Sequence, residues 1–531
     1  MDTNGYNTQN TQKAISYQLN KYSKIFIILI VLFGLALRLV FFSGYVQGDD
    51  KHYMAQAYRF CIGDFTPGDN QWGLRLSMVI PTAISFFLFG VSDISLVLFS
   101  LICSLGNIIL IYYFGKMIFN ERIALLSAFL MAFFPLEVIY ASHLFPCVSF
   151  TFFTGLGIFC FLKGEKDNKW IYYLLSGLFI GIGYLIRENA LFLALPLVIY
   201  MLYNKKIKIE FIHLLVGFFI IIALESGFYY FQNGDILHRF HAVNSIINKK
   251  CLQNENFKID LNWFFSPLGV LFVNQEFGFF YYLILPIGIF FLYKKNKAVM
   301  LLLIWIFPLL LYTFYGPISP SNYWTLTREP RYLAYITIPS LLILSYFLDK
   351  QVNKKWMYSL LIFLLISSIG FTCLDDSKNI TFQTKKLYDF HKMNPEKTLI
   401  VVRPLFLDLL FYSRFQPMPS LKLFAIDEDK SKTLKSIKKI YPNVNIFHDL
   451  KSIDRGKLND VYIAVYNNNS ELCYSKEILK SKKKKEIITI QRPRGLYFNL
   501  FELKRKLLTN KKKLELDLQM VYCDVQIFYF P

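Results

Sequence analysis

The sequence has few cysteines, and none of them is arranged for a metal or redox role. Eight cysteines occur in 531 residues, and no two of them form a CxxC pair, which excludes the zinc and iron–sulfur spacings. Cys103 and Cys160 fall inside apolar runs, and we interpret them as small packing residues. A Cys473–Cys523 disulfide is left open for the case that the C-terminal segment lies outside the cell.

The chain also lacks an internal repeat and is poor in acidic residues. Repeats are typical of many secondary transporters, so their absence favours another membrane function. Only 37 Asp and Glu accompany 58 Lys and Arg, which gives a net charge of +21. Many of the lysines lie in short connectors between apolar runs and do not form one basic face, which argues against nucleic acid as a partner. Lysine runs near the C-terminus, such as 482–485, are expected to be solvated or to touch membrane lipid headgroups.

Long apolar runs, in contrast, are abundant. The chain is 54% hydrophobic and 18% aromatic, with a mean hydropathy of +0.37, as is typical of a multi-spanning membrane protein. The first run carries Arg38 and has no small-x-small cleavage site, so we interpret it as a membrane helix and not as a signal peptide. We predict eleven transmembrane helices, near 25–43, 93–118, 122–141, 144–163, 170–186, 189–203, 211–232, 279–293, 298–315, 332–348 and 356–373.

The basic connectors predict how these helices are oriented. With the N-terminal segment 1–24 in the cytoplasm, the other inner connectors are all basic, as the positive-inside rule requires. The first loop, 44–92, and the C-terminus then lie on the extracytoplasmic face of the plasma (inner) membrane. Counting Leu76–Phe89 as a span would invert every later connector. We therefore predict that this short run, which contains Pro81, is an interfacial helix within the first loop.

The sequence divides into a membrane domain and a C-terminal domain. Residues 25–373 form the membrane domain, in which we expect the catalytic site. Residues 374–531 contain short β-prone segments, namely Thr398–Val402, Leu421–Ile426 and Asp460–Val465, separated by helical or polar stretches such as Pro404–Phe415. The predicted fold class is therefore a mainly α, polytopic membrane protein with a small α/β extracytoplasmic domain.

A few charged residues lie inside or beside the spans, where ionisable groups usually have a function. The pair Asp49-Asp50 directly follows the first span, and by the predicted topology Arg187, Arg328 and Arg331 emerge on the same side. A sugar on a polyprenyl phosphate has an acidic leaving group, so its transfer needs one base near the acceptor hydroxyl and cations around the departing phosphate. The guanidinium fork of arginine binds phosphate oxygens in a fixed geometry. The combination suits transfer of a group away from a phosphate.

Several stretches in this order resemble the GT-C superfamily of membrane glycosyltransferases, of the protein O-mannosyltransferase and aminoarabinose-transferase type. In that family's pattern, an acidic pair after the first span is followed by Tyr53 and Ala57. Together the matching stretches cover much of residues 30–340. They are Leu37-Arg38, Asp49-Asp50, Arg75–Gly90 (RLSMVIPTAISFFLFG), Ser95–Phe119, Gly181–Pro196 (GIGYLIRENALFLALP) and Thr327–Pro339 (TREPRYLAYITIP).

The resemblance implies a catalytic base at Asp49 or Asp50, with inversion at the anomeric carbon. It also implies that the outer-face arginines Arg187, Arg328 and Arg331 bind the phosphate of a polyprenyl-phosphate sugar. The acceptor, whether glycan, lipid or protein, stays open, as does the choice of hexosyl or pentosyl transfer. The residues expected to line the cavity are His52, Tyr53, Glu137, His143 and Tyr332.

One step of the family pattern is altered in this sequence. The family often has an acidic residue after a proline that follows the third span, whereas this chain has Pro146-Cys147. Glu137 and His143 are the nearest polar substitutes. No cofactor is assigned from the sequence, and a divalent metal ion, Mg²⁺ or Mn²⁺, is left open.

Each candidate also has a simpler interpretation. An acidic pair beside a span is often only a solvated loop, and Lys51 and His52 fit such a loop. Arg328 and Arg331 are alternatively snorkelling residues at the headgroups, and Arg187 is alternatively paired with Glu188. A different function, a transporter or flippase of lipid-linked saccharides, would share the donor and the basic outer face.

Overall fold

The structure is a computed structural model that describes most of the chain. The described residues are 3–68, 71–205, 208–253, 261–316, 328–375, 381–416, 418–424, 445–447, 461–466, 485–490 and 525–530. The chain divides into two compact units. The helical unit comprises residues 1–42, 66–81 and 97–372, and the sheet unit comprises residues 43–65, 82–96 and 373–531.

Helices account for nearly all of the described part of the helical unit. Those lying wholly within it are α1 (Thr3–Val40), α3 (Gln71–Leu74), α6 (Glu121–Phe133), α7 (Pro135–Tyr140), α8 (Pro146–Asp167), α9 (Trp170–Ile186), α10 (Ala194–Tyr203), α11 (Ile212–Asn233), α12 (His238–Gln253), α13 (Leu261–Val273), α14 (Phe280–Tyr293), α15 (Lys297–Tyr315) and α16 (Thr337–Gln351). Three 3₁₀ segments, Glu188–Leu193, Ile209–Phe211 and Pro330–Ile336, precede α10, α11 and α16. The helices α4 (Leu76–Phe89), α5 (Asp93–Ile118) and α17 (Lys354–Cys373) have residues in both units.

The mainly α, polytopic fold expected from the sequence is confirmed, but the count of eleven spans is not. By length and composition, seven helical segments among the described residues could cross a membrane. Five further apolar helices are shorter, including Trp170–Ile186, Glu188–Tyr203 and Phe280–Tyr293, which the sequence predicted as spans. The helix expected at Leu76–Phe89 has those bounds, and its place at the membrane surface stays a prediction.

The segment predicted as one span at 122–141 is broken in its second half. Helix α6 ends at Phe133, and α7 begins at Pro135. Phe134 between them has extended backbone angles, φ −62° and ψ 122°, because the ring of a following proline disfavours the helical conformation. The interruption lets the Leu136 amide donate a hydrogen bond to the Glu276 carbonyl at 2.8 Å, which is not part of the hydrogen bonding within a helix.

Two glycines allow α9 and α11 to pack with their backbones in contact. A Cβ built on Gly177 would lie 1.9 Å from the Leu214 carbonyl oxygen, and one on Gly217 would lie 2.2 Å from the Leu174 carbonyl oxygen. Small residues at such crossings are how membrane helices gain close packing when lipid offers no hydrophobic driving force. The crossing matters for the site because α9 leads directly into Arg187.

The sheet unit contains a six-stranded sheet and the helices around it. Helix α2 (Asp49–Cys61) comes from the first loop, while α18 (Phe382–Met393) and α19 (Arg403–Tyr412) come from the C-terminal part. The strands are β1 (Thr398–Val402), β2 (Leu421–Phe424), β3 (Asn445–Phe447), β4 (Val461–Tyr466), β5 (Lys485–Ile490) and β6 (Val525–Phe530). The α/β character predicted for this part of the chain is confirmed.

The strand order is β3-β2-β1-β4-β6-β5. The first four strands are parallel, and β6 pairs antiparallel with both β4 and β5. Leu399, Ile400 and Val401 of the central strand are at most 1% exposed. Parallel strands covered on both faces are continuously apolar, which is why the sequence revealed β1 with its actual bounds. Cys473 and Cys523 lie outside the described residues.

We predict that the α9–α11 crossing tolerates no side chain at its glycines. Gly177→Ala and Gly217→Ala should each destabilise the protein by about 1–3 kcal/mol, because the new methyl group must push a helix backbone away. The measurement is the thermal unfolding midpoint of the full chain in detergent. Gly227→Ala, also on α11, is the control, since nothing lies within 4 Å of its added Cβ. Equal midpoints for all three variants would contradict the prediction.

Candidate functional site

The acidic pair begins a helix and does not lie in an open loop. Asp49 and Asp50 are the first two residues of the 13-residue helix α2. The chain turns into this helix through Gln47 and Gly48, which both have left-handed φ values, 68° and 59°. The amino end of a helix carries a partial positive charge that stabilises carboxylates in its first turn. The pair therefore occupies the first turn of α2, at the amino end of the helix.

The two aspartates differ in their accessibility. Asp50 is fully buried, and its carboxylate accepts a hydrogen bond from the Val46 amide at 3.3 Å. Asp49 is half-buried, as are Lys51 and His52, while Tyr53 is buried in the unit. Of the pair, Asp49 is thus the carboxylate that a molecule from outside can reach more easily.

A third carboxylate, Asp408, holds the segment that carries the pair. Asp408 lies on α19 of the same unit and is fully buried. It accepts hydrogen bonds from the Tyr45 hydroxyl at 2.5 Å and from Gln47 Nε2 at 2.8 Å, and Lys51 Nζ lies 3.3 Å away. Burial raises the pKa of Asp408, while the ammonium group of Lys51 acts in the opposite direction. Burial also raises the pKa of Tyr45, and the Asp408 carboxylate adds to that effect.

Asp408 was not among the site residues predicted from the sequence. The sequence did mark it, because Asp408 is the only acidic or basic residue in the run Pro404–Tyr412 (PLFLDLLFY). An isolated acid on an apolar helix is expected to be buried with partners. Nothing in the sequence, however, indicated that those partners lie more than 350 residues earlier in the chain, as the separation of 363 between Tyr45 and Asp408 shows.

In the helical unit, the structure brings Arg187 and Arg331 together. Arg187 follows the end of α9, and its Nη1 donates to the Arg331 carbonyl at 3.3 Å. Its guanidinium carbon lies 4.1 Å from the centre of the Tyr332 ring. The Arg331 guanidinium lies 5.7 Å from the same ring and 5.3 Å from that of Phe145. We call Arg187, Arg331 and the neighbouring Arg75 the arginine cluster.

Arg187 is the most unusual member of this cluster, because it is only 3% exposed. Among the described residues no carboxylate lies within ion-pair distance of it, and its Nε has no hydrogen-bond partner there. Burial lowers the pKa of Arg187, and the positive charges of Arg75 and Arg331 act in the same direction. Arg331 does have an acidic neighbour, with its Nε 2.5 Å from Glu329. A buried cation of this kind favours an anion beside it.

The simpler interpretation of Arg187, an ion pair with Glu188, does not describe the contacts observed. The Glu188 carboxylate lies 2.7 Å from Nη1 of Arg239. Arg239 also donates through Nε to both Glu225 oxygens, at 2.8 and 2.9 Å, and through Nη2 to the Leu74 carbonyl. Burial alone would lower the pKa of Arg239, but the two glutamates raise it above the ordinary value. Arg239, which was not among the residues predicted from the sequence, neutralises both Glu188 and Glu225.

Arg328 has a different set of contacts from the arginine cluster. Its guanidinium carbon lies 4.3 Å from the Trp263 ring and 5.6 Å from that of Tyr315, and its Nη2 donates to the Phe314 carbonyl at 2.9 Å. These partners belong to α13 and α15. Of the three arginines predicted to bind phosphate, the structure therefore brings Arg187 and Arg331 together and gives Arg328 separate contacts on α13 and α15.

Glu137 and His143 are both buried in the helical unit. Glu137 accepts hydrogen bonds from Ser104 at 2.9 Å and from Asn107 at 3.1 Å, and Ser104 in turn accepts one from Arg38 at 2.8 Å. This network joins α1, α5 and α7. His143 lies edge-on to the rings of Tyr140 and Phe145, at 5.5 and 5.6 Å.

A divalent metal ion, which the sequence leaves open, would need ligands from the protein. Within the described ranges, no group of three or more His, Cys, Asp or Glu side chains could hold a metal ion. Glu137, one of the two polar substitutes expected near the altered Pro-acid step, is engaged with Ser104 and Asn107. No step proposed below uses a metal ion.

Comparisons with known proteins show what this chain is similar to. Residues 78–229 match the family described as dolichyl-phosphate-mannose-protein mannosyltransferase. No curated protein matches the sequence. The crystal structure of ArnT from Cupriavidus metallidurans in the apo state aligns with a TM-score of 0.61 at 13% identity, over 88% of this chain and 96% of ArnT.

The structure of the same ArnT bound to undecaprenyl phosphate aligns with a TM-score of 0.59 at 14% identity, over the same shares of both chains. At this level of identity the likeness concerns the fold. The resemblance inferred from the sequence is thereby confirmed, and this multi-span membrane chain has the fold of the GT-C glycosyltransferases.

Proposed function

We propose that this protein is a membrane glycosyltransferase that moves a sugar from a polyprenyl-phosphate donor to an acceptor hydroxyl on the extracytoplasmic face. The observation that carries the proposal is the buried guanidinium of Arg187, which has no carboxylate partner among the described residues. It lies in a fold that, in ArnT, is seen with undecaprenyl phosphate bound. A lipid phosphate would supply the anion that Arg187 lacks among the described residues.

The arginine cluster has the properties that a departing phosphate requires. When the bond between the anomeric carbon and the phosphate oxygen breaks, negative charge grows on that oxygen. Fixed cations in a dry environment stabilise this charge without having to reorganise. The ring of Tyr332, which lies against both Arg187 and Arg331, holds the two guanidinium groups in place. Arg187 and Arg331 are therefore the proposed phosphate ligands, with Arg75 contributing charge.

The acidic pair is the proposed source of the base. The acceptor hydroxyl attacks the anomeric carbon, its proton passes to an aspartate, and the polyprenyl phosphate leaves. A single displacement of this kind inverts the anomeric configuration. We assign the role of the base to Asp49, because it is the more accessible of the two aspartates. Asp50 is buried and accepts a hydrogen bond from the Val46 amide, and we assign it the role of orienting the start of helix α2.

Asp49→Asn should reduce transfer by about 10²–10⁴-fold, the usual contribution of a general base. The measurement is a mass spectrum of lipid-linked and surface glycans from cells with the wild-type chain, the variant or no chain. The sugar and acceptor identified in this way are then tested with purified protein in detergent. Asp389→Asn, which removes an exposed carboxylate of α18 in the same unit, is the control. Normal turnover by Asp49→Asn would refute the assigned base, and the absence of any product from the wild type would favour a transporter or flippase.

Arg187→Met should weaken binding of undecaprenyl phosphate by roughly 10–100-fold, the loss of a charge-assisted hydrogen bond worth about 1.5–3 kcal/mol. The same change should leave the unfolding midpoint of the ligand-free protein unchanged or higher, because it removes a buried cation lying among other cations. The control is Arg122→Met, since Arg122 is paired with Asp349 at 2.9 Å. A variant that binds undecaprenyl phosphate normally would contradict the proposed phosphate role.

The proposed topology requires residues 44–92 and 316–331 to face outward, and residues 294–297 to face inward. Alkaline phosphatase, which is active only outside the cytoplasm, can be fused after Gly48, Asn296 or Glu329. We expect activity from the first and third fusions and none from the second, because the basic connectors stay inside. Activity at only one of Gly48 and Glu329 would place the two predicted loops on opposite sides and exclude the proposed mechanism.

A further inference from the structure

We infer that Asp408 is a positioning residue that keeps the acidic pair in its working geometry, so that the C-terminal part of the chain supports catalysis in the first loop. This inference rests on the proposed function, since it assigns Asp408 a role toward the proposed base. It concerns contacts within the sheet unit alone. The side chain of Asp408 is not proposed to touch either substrate.

The side chains that contact Asp408 come from residues on both sides of the acidic pair in the sequence. Tyr45 and Gln47 precede the pair, Lys51 follows it, and the side chains of all three reach the same carboxylate, at 2.5, 2.8 and 3.3 Å. Two hydrogen-bond donors and one ammonium group converge on it. Such an arrangement compensates the cost of burying a carboxylate completely. It also fixes the backbone on both sides of Asp49 and Asp50.

The turn before the pair needs support of this kind. Gln47 has a φ of 68°, a backbone conformation that residues other than glycine rarely adopt and that surrounding contacts must stabilise. Its side-chain amide donates to Asp408 and, at 3.2 Å, to Thr384 Oγ1. The hydrogen bonds of Gln47 thus hold the residue whose backbone directs the chain into α2.

Other contacts join the same segment to the C-terminal part. The Tyr45 amide donates to Asp93 at 2.9 Å, and Asp93 lies 3.6 Å from Lys385 of α18. The Tyr45 ring packs on Phe411 of α19 at 4.5 Å. Further along α2, the ring of Tyr58 stacks on Phe415 at 3.8 Å. The segment is therefore anchored at several points, with Asp408 at the one nearest to the acidic pair.

The charge and geometry of Asp408 explain why a neutral replacement should fail. An Asn side chain has nearly the same shape, but it has one acceptor oxygen where Asp408 uses two, and its amide would face the amide of Gln47. The attraction to Lys51 would also be lost. Asp408→Asn should therefore release residues 45–51 while leaving the packing of α19 nearly intact.

The test is hydrogen–deuterium exchange of the full chain in detergent, followed over residues 43–53. We expect Asp408→Asn to speed exchange there by about tenfold or more, because local opening becomes easier. Binding of undecaprenyl phosphate should change less than twofold, since its proposed ligands lie in the helical unit. The yield of the surface glycan whose synthesis requires this protein should fall.

Tyr45→Phe removes one hydrogen bond to Asp408 and should speed exchange over residues 43–53 by a smaller factor. Exchange over residues 43–53 should be no faster in the double variant than in Asp408→Asn alone, as expected for two residues that act through one contact.

Two controls separate positioning from general loss of stability. Asp389→Asn makes the same chemical change at an exposed site of α18, and Ile400→Ala weakens the sheet core at a residue that is 0% exposed. Neither should selectively expose residues 43–53. The inference is overturned if exchange there is unchanged in both Asp408→Asn and Tyr45→Phe. It is also overturned if Ile400→Ala produces the same local exposure at an equal loss of thermal stability. Failure of the proposed function would appear separately, as normal glycan transfer by Asp49→Asn.

Discussion

Removing a charged side chain from water costs several kcal/mol, roughly, unless partners compensate it, and this cost governs how the helical unit accommodates its ionised residues. Arg38 and Glu137 are both fully buried and are linked through Ser104. Arg239 binds Glu225 through Nε and Nη2 and Glu188 through Nη1. These two networks neutralise their charges internally, and each joins several helices. They contain four of the six Arg and Glu residues that are buried in the described part of the helical unit, namely Arg38, Glu137, Glu225 and Arg239.

Arg187 of the arginine cluster differs from these networks, because no carboxylate among the described residues lies within ion-pair distance of its guanidinium. Arg187 is as buried as Arg239, yet it contacts an aromatic ring and a carbonyl oxygen where Arg239 contacts two carboxylates. Because Arg239 occupies Glu188, that acid is not Arg187's ion-pair partner. The buried guanidinium of Arg187 is therefore costly in the protein by itself. In the proposed function, the phosphate of the donor would offset this cost.

Much of the fold was predictable from the sequence, and the exceptions have physical causes. The apolar runs identified the helices, and the continuous hydrophobicity of β1 and the bounds of α4 were predicted as the structure has them. The expected span at 122–141 was wrong as a single helix, because hydropathy does not register the backbone restriction that Pro135 imposes on Phe134. The mean hydropathy of an apolar run also does not depend on how long the helix formed by that run is. Several predicted spans are therefore shorter than a membrane crossing in the structure.

The sequence alone determined the membrane character of the chain, its α/β C-terminal part and the presence of an acidic pair and several arginines near span ends. These properties depend on composition and on local periodicity, which neighbouring residues reveal. Only the tertiary structure decided which charges are balanced. It assigned Glu188 to Arg239, separated the contacts of Arg328 from those of Arg187, and joined Asp408 to Tyr45. Such pairings depend on which distant segments the fold brings within a few ångströms, and charge interactions are decided at that distance.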